Sequence, residues 1–254
     1  MPLNADWLVP DWQASRVGAV MTTRAGGTSA APFDSFNLRD GLGDVAERVA
    51  ANRAALVRAV GAVPVFLDQV HGAHVARLTR ADALPGALVR RADASVTTEP
   101  GVACAVQVAD CLPVLFAAPD GRGVAAAHAG WRGLAGGVLE ATVQALCSAT
   151  GCEPTDLQAW LGACIGPQHF EVGADVLDAF GALTGEGGLR HFVPCATGKW
   201  LADLPGLARV RLHRAGVQAV AGGAWCTVND ASRFFSYRRD RVTGRMAVVV
   251  WIDG

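Results

Sequence analysis

Hydrophobic positions along the chain form short runs, some alternating as in strands and some spaced as in helices. Residues 18–24 predict a strand that ends in a turn at Ala25-Gly26-Gly27. The apolar runs at 102–108, 112–117 and 123–128 are too short for typical helices and predict buried strands. Further strands are predicted at 65–78, 94–98, 157–165, 219–228 and 245–252.

Helices are predicted where apolar residues recur at three- and four-residue spacing. The first begins at Asp44, which can cap the helix while Glu47 reaches back to the same turn, and it ends at Gly61. A second helix is predicted over 134–149. Two more are predicted over 174–180 and 204–215.

The mixture of these elements favours an α+β fold in which mixed β-sheets are packed with helices. Some neighbouring strands have no helix between them, which argues against a regular βαβ repeat. No internal repeat, low-complexity linker or charge run marks a boundary. We therefore expect a single domain over residues 1–254.

Charge and composition exclude several classes of protein. The 254 residues include 22 Lys and Arg against 23 Asp and Glu, a net charge of −1. Such a balance does not attract nucleic acid or an acidic membrane surface. The longest apolar stretch, 101–119, contains Asp110, which would cost about 2.5–3.5 kcal/mol at the centre of a bilayer. The first residues lack the basic and apolar regions of an export signal, so we expect a cytoplasmic protein.

The chain has seven cysteines, an odd number without the dense spacing of a disulfide framework. In a protein without an export signal, this pattern favours free thiols or metal ligands.

Three short segments concentrate the chemistry: QVHGAH with His71, ADCLP with Cys111, and HAGWRG with His128. Each places a nitrogen or sulfur donor at the edge of an apolar run, beside residues that turn the chain. Three such ligands from separate segments, with a fourth position open, are typical of catalytic zinc sites. A lone His or Cys near a strand is more often buried or hydrogen-bonded, so the spacing alone leaves both interpretations open.

Longer motifs resemble a known family. They are QVHG, ADASVTTEPGVACAVQVADCLPVLFA, AAAHAGWRGLAGGVLE, WLGACIGPQHFEVG and RFFSYRRDRVTGRMA. In this order they resemble the YfiH/laccase-domain family, whose members are described as purine nucleoside phosphorylases, polyphenol oxidoreductases or peptidoglycan editing factors. The resemblance extends from Gly18 to Ile252, nearly the whole chain.

The resemblance implies a YfiH-like single domain and a zinc ion held by His71, Cys111 and His128, which would then be catalytic residues. It also implies phosphorolysis of adenosine, inosine and S-methyl-5′-thioadenosine, and deamination of adenosine. The expected partners are purine nucleosides and phosphate; nothing in the sequence indicates an oligomeric state. Two positions depart from the family pattern: Cys164, where a small residue is usual, and the segment 39–44, which lacks a histidine.

Phosphorolysis requires a phosphate site, for which arginine is well suited. Arg132 follows His128 by four residues and is a candidate catalytic residue near the metal. Arg24 precedes two glycines whose N–H groups could add to an anion site. Asn37 is a candidate for binding a ribose hydroxyl. The alternatives are surface ion pairs for the arginines and a structural turn for Asn37.

Other side chains in the motifs have two possible roles each. Asp110 could shuttle a proton or hydrogen-bond to the backbone, and Glu171 could serve as a carboxylate catalyst or cap a helix. Trp131 and Tyr237 could stack on a purine or pack in the core. Arg238 and Arg239 are further phosphate candidates.

Three rival functions remain open at this point. A multicopper polyphenol oxidase needs about ten histidines, and this chain has six, so copper is expected only by substitution at the zinc site. A cysteine hydrolase could use Cys111 as a nucleophile activated by histidines, for instance to edit peptidoglycan precursors. A structural or nucleotide-sensing metal site would need a fourth ligand such as Cys164.

Overall fold

The computed structural model of the protein describes residues 3–181 and 189–254. The strands are β1 (Val17–Met21), β2 (Val63–Val65), β3 (Val75–Arg77), β4 (Ala94–Thr97), β5 (Val102–Val108), β6 (Leu112–Ala117), β7 (Val124–Ala129), β8 (Gln158–Leu161), β9 (Glu171–Val172), β10 (Phe192–Ala196), β11 (Lys199–Ala202), β12 (Ala219–Gly222) and β13 (Met246–Ile252). The helices are α1 (Ala46–Val60), α2 (Trp131–Ala135), α3 (Val138–Thr150), α4 (Ala174–Ala179), α5 (Leu204–Arg214) and α6 (Tyr237–Asp240).

The strands form three sheets. One has the order β1-β13-β5-β2, a second has the order β12-β8-β6-β7-β4-β3, and a small one has the order β10-β11-β9. The pairs β2–β5, β3–β4 and β8–β12 are parallel, and the other pairs are antiparallel. The expected mixed-sheet α+β fold in a single domain is confirmed. In the described part of the chain, no helix has the length and apolar character needed to cross a bilayer.

The two larger sheets pack face to face, and helices cover their outer faces. On β13, Val248 and Val250 point into the core between the sheets, whereas Ala247 and Val249 pack in the cluster that contains Leu56 of α1. This alternation follows from the two-residue period of a strand. On the far side, residues of α3 and α5 pack against β6 and β7. Because both faces of the sheets are covered, the central strands are apolar throughout, as the short runs predicted.

The predicted strand over 65–78 is wrong in its middle. Only β2 and β3 form, and residues 66–74 between them make a loop. His71 has φ of 64°, which a strand does not allow. The side chain of Gln69 replaces part of the missing strand pairing. Its amide NH₂ donates to the backbone carbonyl of Gln107, and its amide oxygen accepts the backbone N–H of Gln107.

Several helix boundaries also differ from the predicted ones. Asp44 does not cap α1; its carboxylate accepts from Asn37 and from the N–H of Val45, and the helix begins at Ala46. The helix predicted over 134–149 is two helices, because Gly137 adopts φ of 95° between them.

Two predicted strands are too long. The strand predicted over 157–165 ends at Leu161, and the strand predicted over 219–228 ends at Gly222. Gly222 has φ of 75°, outside the strand region, so its pairing with β8 stops there.

Candidate metal centre

The structure brings together the three predicted ligands. The donor atoms of His71, Cys111 and His128 all lie within 4.8 Å of one another. The Sγ atom of Cys111 is 3.8 Å from Nε2 of His71. The two imidazole rings meet edge to face with centroids 4.8 Å apart. This His-Cys-His group can hold a metal ion.

Cys111 lies where the chain crosses between the two large sheets. Strand β5 belongs to the four-stranded sheet and β6 to the six-stranded sheet, and residues 109–111 connect them. Asp110 turns the chain here with φ of 93°. Its carboxylate accepts hydrogen bonds from the Thr227 hydroxyl and the Arg238 N–H. Asp110 therefore fixes the turn that presents Cys111, in line with the backbone role considered for it.

His128 lies on β7 and is almost fully buried. Its Nδ1 atom is 2.9 Å from Oδ1 of Asp93, a fully buried carboxylate. Because Asp93 occupies Nδ1, the Nε2 atom is left to face Cys111. A carboxylate behind a histidine in this way fixes its tautomer and orientation in metal sites.

Asp93 also shapes the loop that carries His71. Its two oxygens accept the N–H groups of Val70, His71 and Gly72 at 2.7–3.2 Å. One buried carboxylate therefore organises two of the three donors. Asp93 is not among the residues that the sequence motifs predicted for the site. The available signal was an acidic residue directly before a buried strand, since such a carboxylate must find several donors.

The ionisation of the group favours a thiolate. Burial alone would raise the pKa of Cys111, but the charge and hydrogen bonding of His128 and His71 outweigh burial and lower that pKa to about 6. Burial opposes the charge on His128, yet the Cys111 thiolate and Asp93 raise the pKa of this imidazole to about 9. The hydrogen bonds from His128 and from the loop N–H groups hold the pKa of Asp93 below its usual value despite burial.

The donor set fits zinc. Imidazole nitrogen and thiolate sulfur are common zinc ligands, and three protein donors with an open side are typical of catalytic sites. Gly130, which follows β7, leaves the space that the group needs. A Cβ atom at this position would lie 2.9 Å from Sγ of Cys111 and 3.2 Å from Cδ2 of His71. Cys164 is not part of the group; its thiol donates to the carbonyl of Ile165 at 3.4 Å.

Two cavities lined by described residues border the group, and they share His71, Ala109, Cys111 and Tyr237. The first, here called the aromatic cavity, has a volume of about 320 Å³. Its other principal lining residues are Trp131, Phe170, Arg132, Arg238 and Arg241.

The second, here called the arginine cavity, has a volume of about 420 Å³. Its lining includes Arg39, Arg245, Gln69, Gln107 and His128. Neither Arg39 nor Arg245 was predicted as a site residue. The two lie about 200 positions apart in sequence, and only the fold brings them together.

The remaining predicted residues divide between the site and the scaffold. Arg132 lines the aromatic cavity, with its guanidinium 4.2 Å from the ring centroid of Trp131. Arg24 lies elsewhere: it pairs with Asp34 at 3.2 Å and donates to the carbonyl of Ala231. Arg24 lines neither cavity, so the structure does not bring it to the group.

Asn37 is fully buried, and its amide is occupied by protein contacts. It donates to the carbonyl of Arg39 and to Asp44, and its oxygen accepts the N–H groups of Arg39 and Arg245. It does not line either cavity. In the structure Asn37 supports the wall of the arginine cavity, in line with the structural alternative considered for it.

Arg238 and Arg239 differ in role. Arg238 lines the aromatic cavity and lies 5.5 Å from the ring centroid of Phe170. Arg239 donates to the carbonyls of Thr227 and Phe234 and pairs with Asp240, so it ties loops together. Glu171 lies on β9 and does not cap the following helix, α4.

An α+β sandwich of two mixed sheets, with an open His-Cys-His group where the sheets are joined, defines the class of this protein. A family model described as multi-copper polyphenol oxidoreductase laccase matches residues 18–253. A Pseudomonas aeruginosa protein named purine nucleoside phosphorylase is 51% identical over 99% of this chain and 100% of its own length. The Escherichia coli purine nucleoside phosphorylase YfiH is 47% identical over 96% of this chain and 98% of its own.

A solved structure agrees with these matches. A crystal structure from Neisseria meningitidis has 46% identity and a TM-score of 0.89, and it covers 98% of this chain and 100% of its own. The chain therefore belongs to the YfiH/laccase-domain family.

Proposed function

We propose that the chain is a zinc-dependent enzyme of purine nucleosides, which cleaves adenosine, inosine and S-methyl-5′-thioadenosine with phosphate and also deaminates adenosine. The observation that carries the proposal is the open His71–Cys111–His128 group beside a cavity lined by aromatic rings and arginines. The names of the relatives, purine nucleoside phosphorylase, support the substrate class.

The aromatic cavity suits a purine. Trp131, Phe170 and Tyr237 line it, and stacking on an aromatic ring contributes about 1–3 kcal/mol per base. The volume of about 320 Å³ lies at the lower end of the range typical for small-molecule sites. Arg132 and Arg238 add donors at the wall, where they can bind acceptor atoms of the substrate.

The metal would be held by Nε2 of His71, Sγ of Cys111 and Nε2 of His128. When bound, zinc supplies a Lewis acid next to the substrate. Asp93 keeps the proton of His128 on Nδ1 and thereby keeps Nε2 available as a donor. Copper binds most nitrogen and sulfur sites more tightly than zinc, so copper found at this site is expected to be a substitute.

The first test is elemental analysis of untagged protein, for which we expect about one zinc per chain. Cys111→Ala and His128→Ala should each abolish phosphorolysis and deamination while the circular dichroism spectrum keeps its native form. Cys195→Ala is the matched control, because Cys195 is an exposed thiol on β10 outside both cavities. Full activity of either ligand variant contradicts the proposal. Tightly held copper that survives exchange with zinc favours an oxidoreductase instead.

A cysteine hydrolase is the second candidate, and one observation favours it. Cys111, His128 and Asp93 follow one another as a nucleophile, a base and an orienting carboxylate would. The two functions respond differently to reagents. A chelator inactivates the zinc enzyme and leaves the hydrolase active, whereas iodoacetamide inactivates the chelated hydrolase. Peptidoglycan precursors are the substrates to assay if chelation has no effect.

A further inference from the structure

The lining of the arginine cavity includes two arginines, Arg39 and Arg245. Arg245 donates from Nη1 to the carbonyls of Thr243 and Gly244. Within residues 3–181 and 189–254, neither Arg245 nor Arg39 forms an ion pair. The acid next to Arg39 in sequence, Asp40, pairs instead with Arg53.

The two cations are close enough to repel each other. Burial lowers the pKa of Arg245 and the charge of Arg39 lowers it further, whereas the negative charges of Cys111, Asp110 and Tyr237 oppose this lowering. Leaving two guanidinium groups together in a recess costs free energy unless an anion compensates them. A divalent cation on the neighbouring His-Cys-His group would make this recess still more positive. The two guanidinium groups therefore make the arginine cavity suited to an anionic ligand.

The fold holds the backbone at both arginines in place. The buried Asn37 oxygen accepts the backbone N–H of Arg39 at 3.1 Å and the backbone N–H of Arg245 at 2.9 Å. The N–H of Leu38 donates to the carbonyl of Arg245. One amide thus clamps two segments that are distant in sequence. Such preorganisation reduces the entropy lost when a ligand binds.

We propose that the arginine cavity is an oxyanion subsite, in which the guanidinium groups of Arg39 and Arg245 bind inorganic phosphate beside the metal group. This inference rests on the proposed function and identifies its second substrate site. It assigns phosphate to residues other than Arg24 and Arg132. Guanidinium groups match phosphate oxygens in pairs, which gives both affinity and orientation.

The subsite has a defined part in phosphorolysis. An oxygen of monohydrogen phosphate forms a bond to C1′ of the nucleoside while the bond from C1′ to N9 breaks. The electron pair of that bond leaves with N9, and the proton carried by the phosphate ends on the free base. The products are the purine and ribose 1-phosphate, with no change in total charge. The arginines hold the phosphate in position and exchange no protons.

The test compares Arg39→Gln and Arg245→Gln with wild-type zinc-loaded protein. Arg58→Gln is the control, because Arg58 is an exposed arginine of α1 outside both cavities. At saturating inosine, the KM for phosphate should rise about tenfold or more in each cavity variant, while the KM for inosine changes less than about twofold. Calorimetric titration with phosphate alone should show weakened binding in the same two variants. Zinc content and thermal unfolding should match the wild type.

The possible outcomes separate the subsite from the proposed function. An unchanged KM for phosphate in both variants overturns the subsite while phosphorolysis itself stands. If the wild type binds phosphate through these arginines but cleaves no nucleoside, the subsite stands and the proposed function fails. Phosphate binding that is equal in all variants overturns the assignment. Displacement of phosphate by a nucleoside 5′-monophosphate but not by methyl phosphate would assign the cavity to a nucleotide and overturn inorganic phosphate as its ligand.

Discussion

The carboxylate of Asp93 lies 2.9 Å from Nδ1 of His128. The same side chain accepts three consecutive N–H groups of the loop that carries His71. All of these contacts place donors around the two oxygens. Asp93 therefore sets both the tautomer of one proposed metal ligand and the position of another, although it is not itself a member of the His-Cys-His group.

Asp93→Asn should lower zinc affinity about 10- to 100-fold. The asparagine amide would have to turn its NH₂ group toward His128 or toward the N–H groups of Val70 and Gly72. In the first orientation His128 must accept at Nδ1 and carry its proton on Nε2, so it loses its metal donor. In the second orientation the NH₂ group faces the N–H groups of Val70 and Gly72, and the loop that carries His71 is pushed away. Competition with a chromophoric chelator measures the affinity.

Asp82→Asn is the control for this change. The Asp82 carboxylate also accepts a backbone N–H, from Thr79, and pairs with Arg90, but it lies outside both cavities. If Asp93 had only a structural role, both variants should lose thermal stability, and neither should lose zinc affinity. The absorption bands of bound cobalt give a second readout, which should change only for Asp93→Asn. Wild-type zinc affinity in Asp93→Asn would contradict the positioning role.

Much of the fold and the metal group could be predicted from sequence, and the failures have physical reasons. The apolar runs of β5, β6 and β7 predicted buried strands correctly, because strands covered on both faces are apolar throughout. The 66–74 loop could not be predicted, because one distant carboxylate replaces its strand pairing. The partners of Asn37 could not be predicted for a similar reason, because the hydrogen bonds of a buried amide depend on the tertiary fold.

Metal-free protein should show an unusually reactive Cys111. Because the neighbouring imidazoles outweigh burial and lower the pKa of this thiol to about 6, the thiolate predominates above about pH 6. Alkylation of Cys111 by iodoacetamide, followed by peptide mass spectrometry, should therefore rise through about pH 6. The same protein in denaturant should show the rise near pH 8.5, the value for an unperturbed thiol. Added zinc should suppress the native reaction, and a native rise near pH 9 would contradict the thiolate assignment.

Gly130→Ala should weaken metal binding without unfolding the protein. The added methyl group would lie 2.9 Å from Sγ of Cys111 and 3.2 Å from Cδ2 of His71, so these two side chains must move apart. The backbone of Gly130 has φ of −59°, which alanine adopts without strain. We expect native circular dichroism together with a loss of zinc on dialysis against a weak chelator. Retention of one zinc per chain under those conditions would show that the turn has more room than the structure gives it.

Tyr237 is the residue with which to test base stacking, because it is half exposed and its replacement should cost little stability. Its ring lies on the wall shared by the two cavities. Tyr237→Leu should raise the KM for inosine about tenfold, the loss expected for one ring under a base. Tyr237→Phe keeps the ring, so its KM for inosine should remain near that of the wild type. If Tyr237→Phe raises the KM for inosine as much as Tyr237→Leu does, the hydroxyl group and not the ring face binds the substrate.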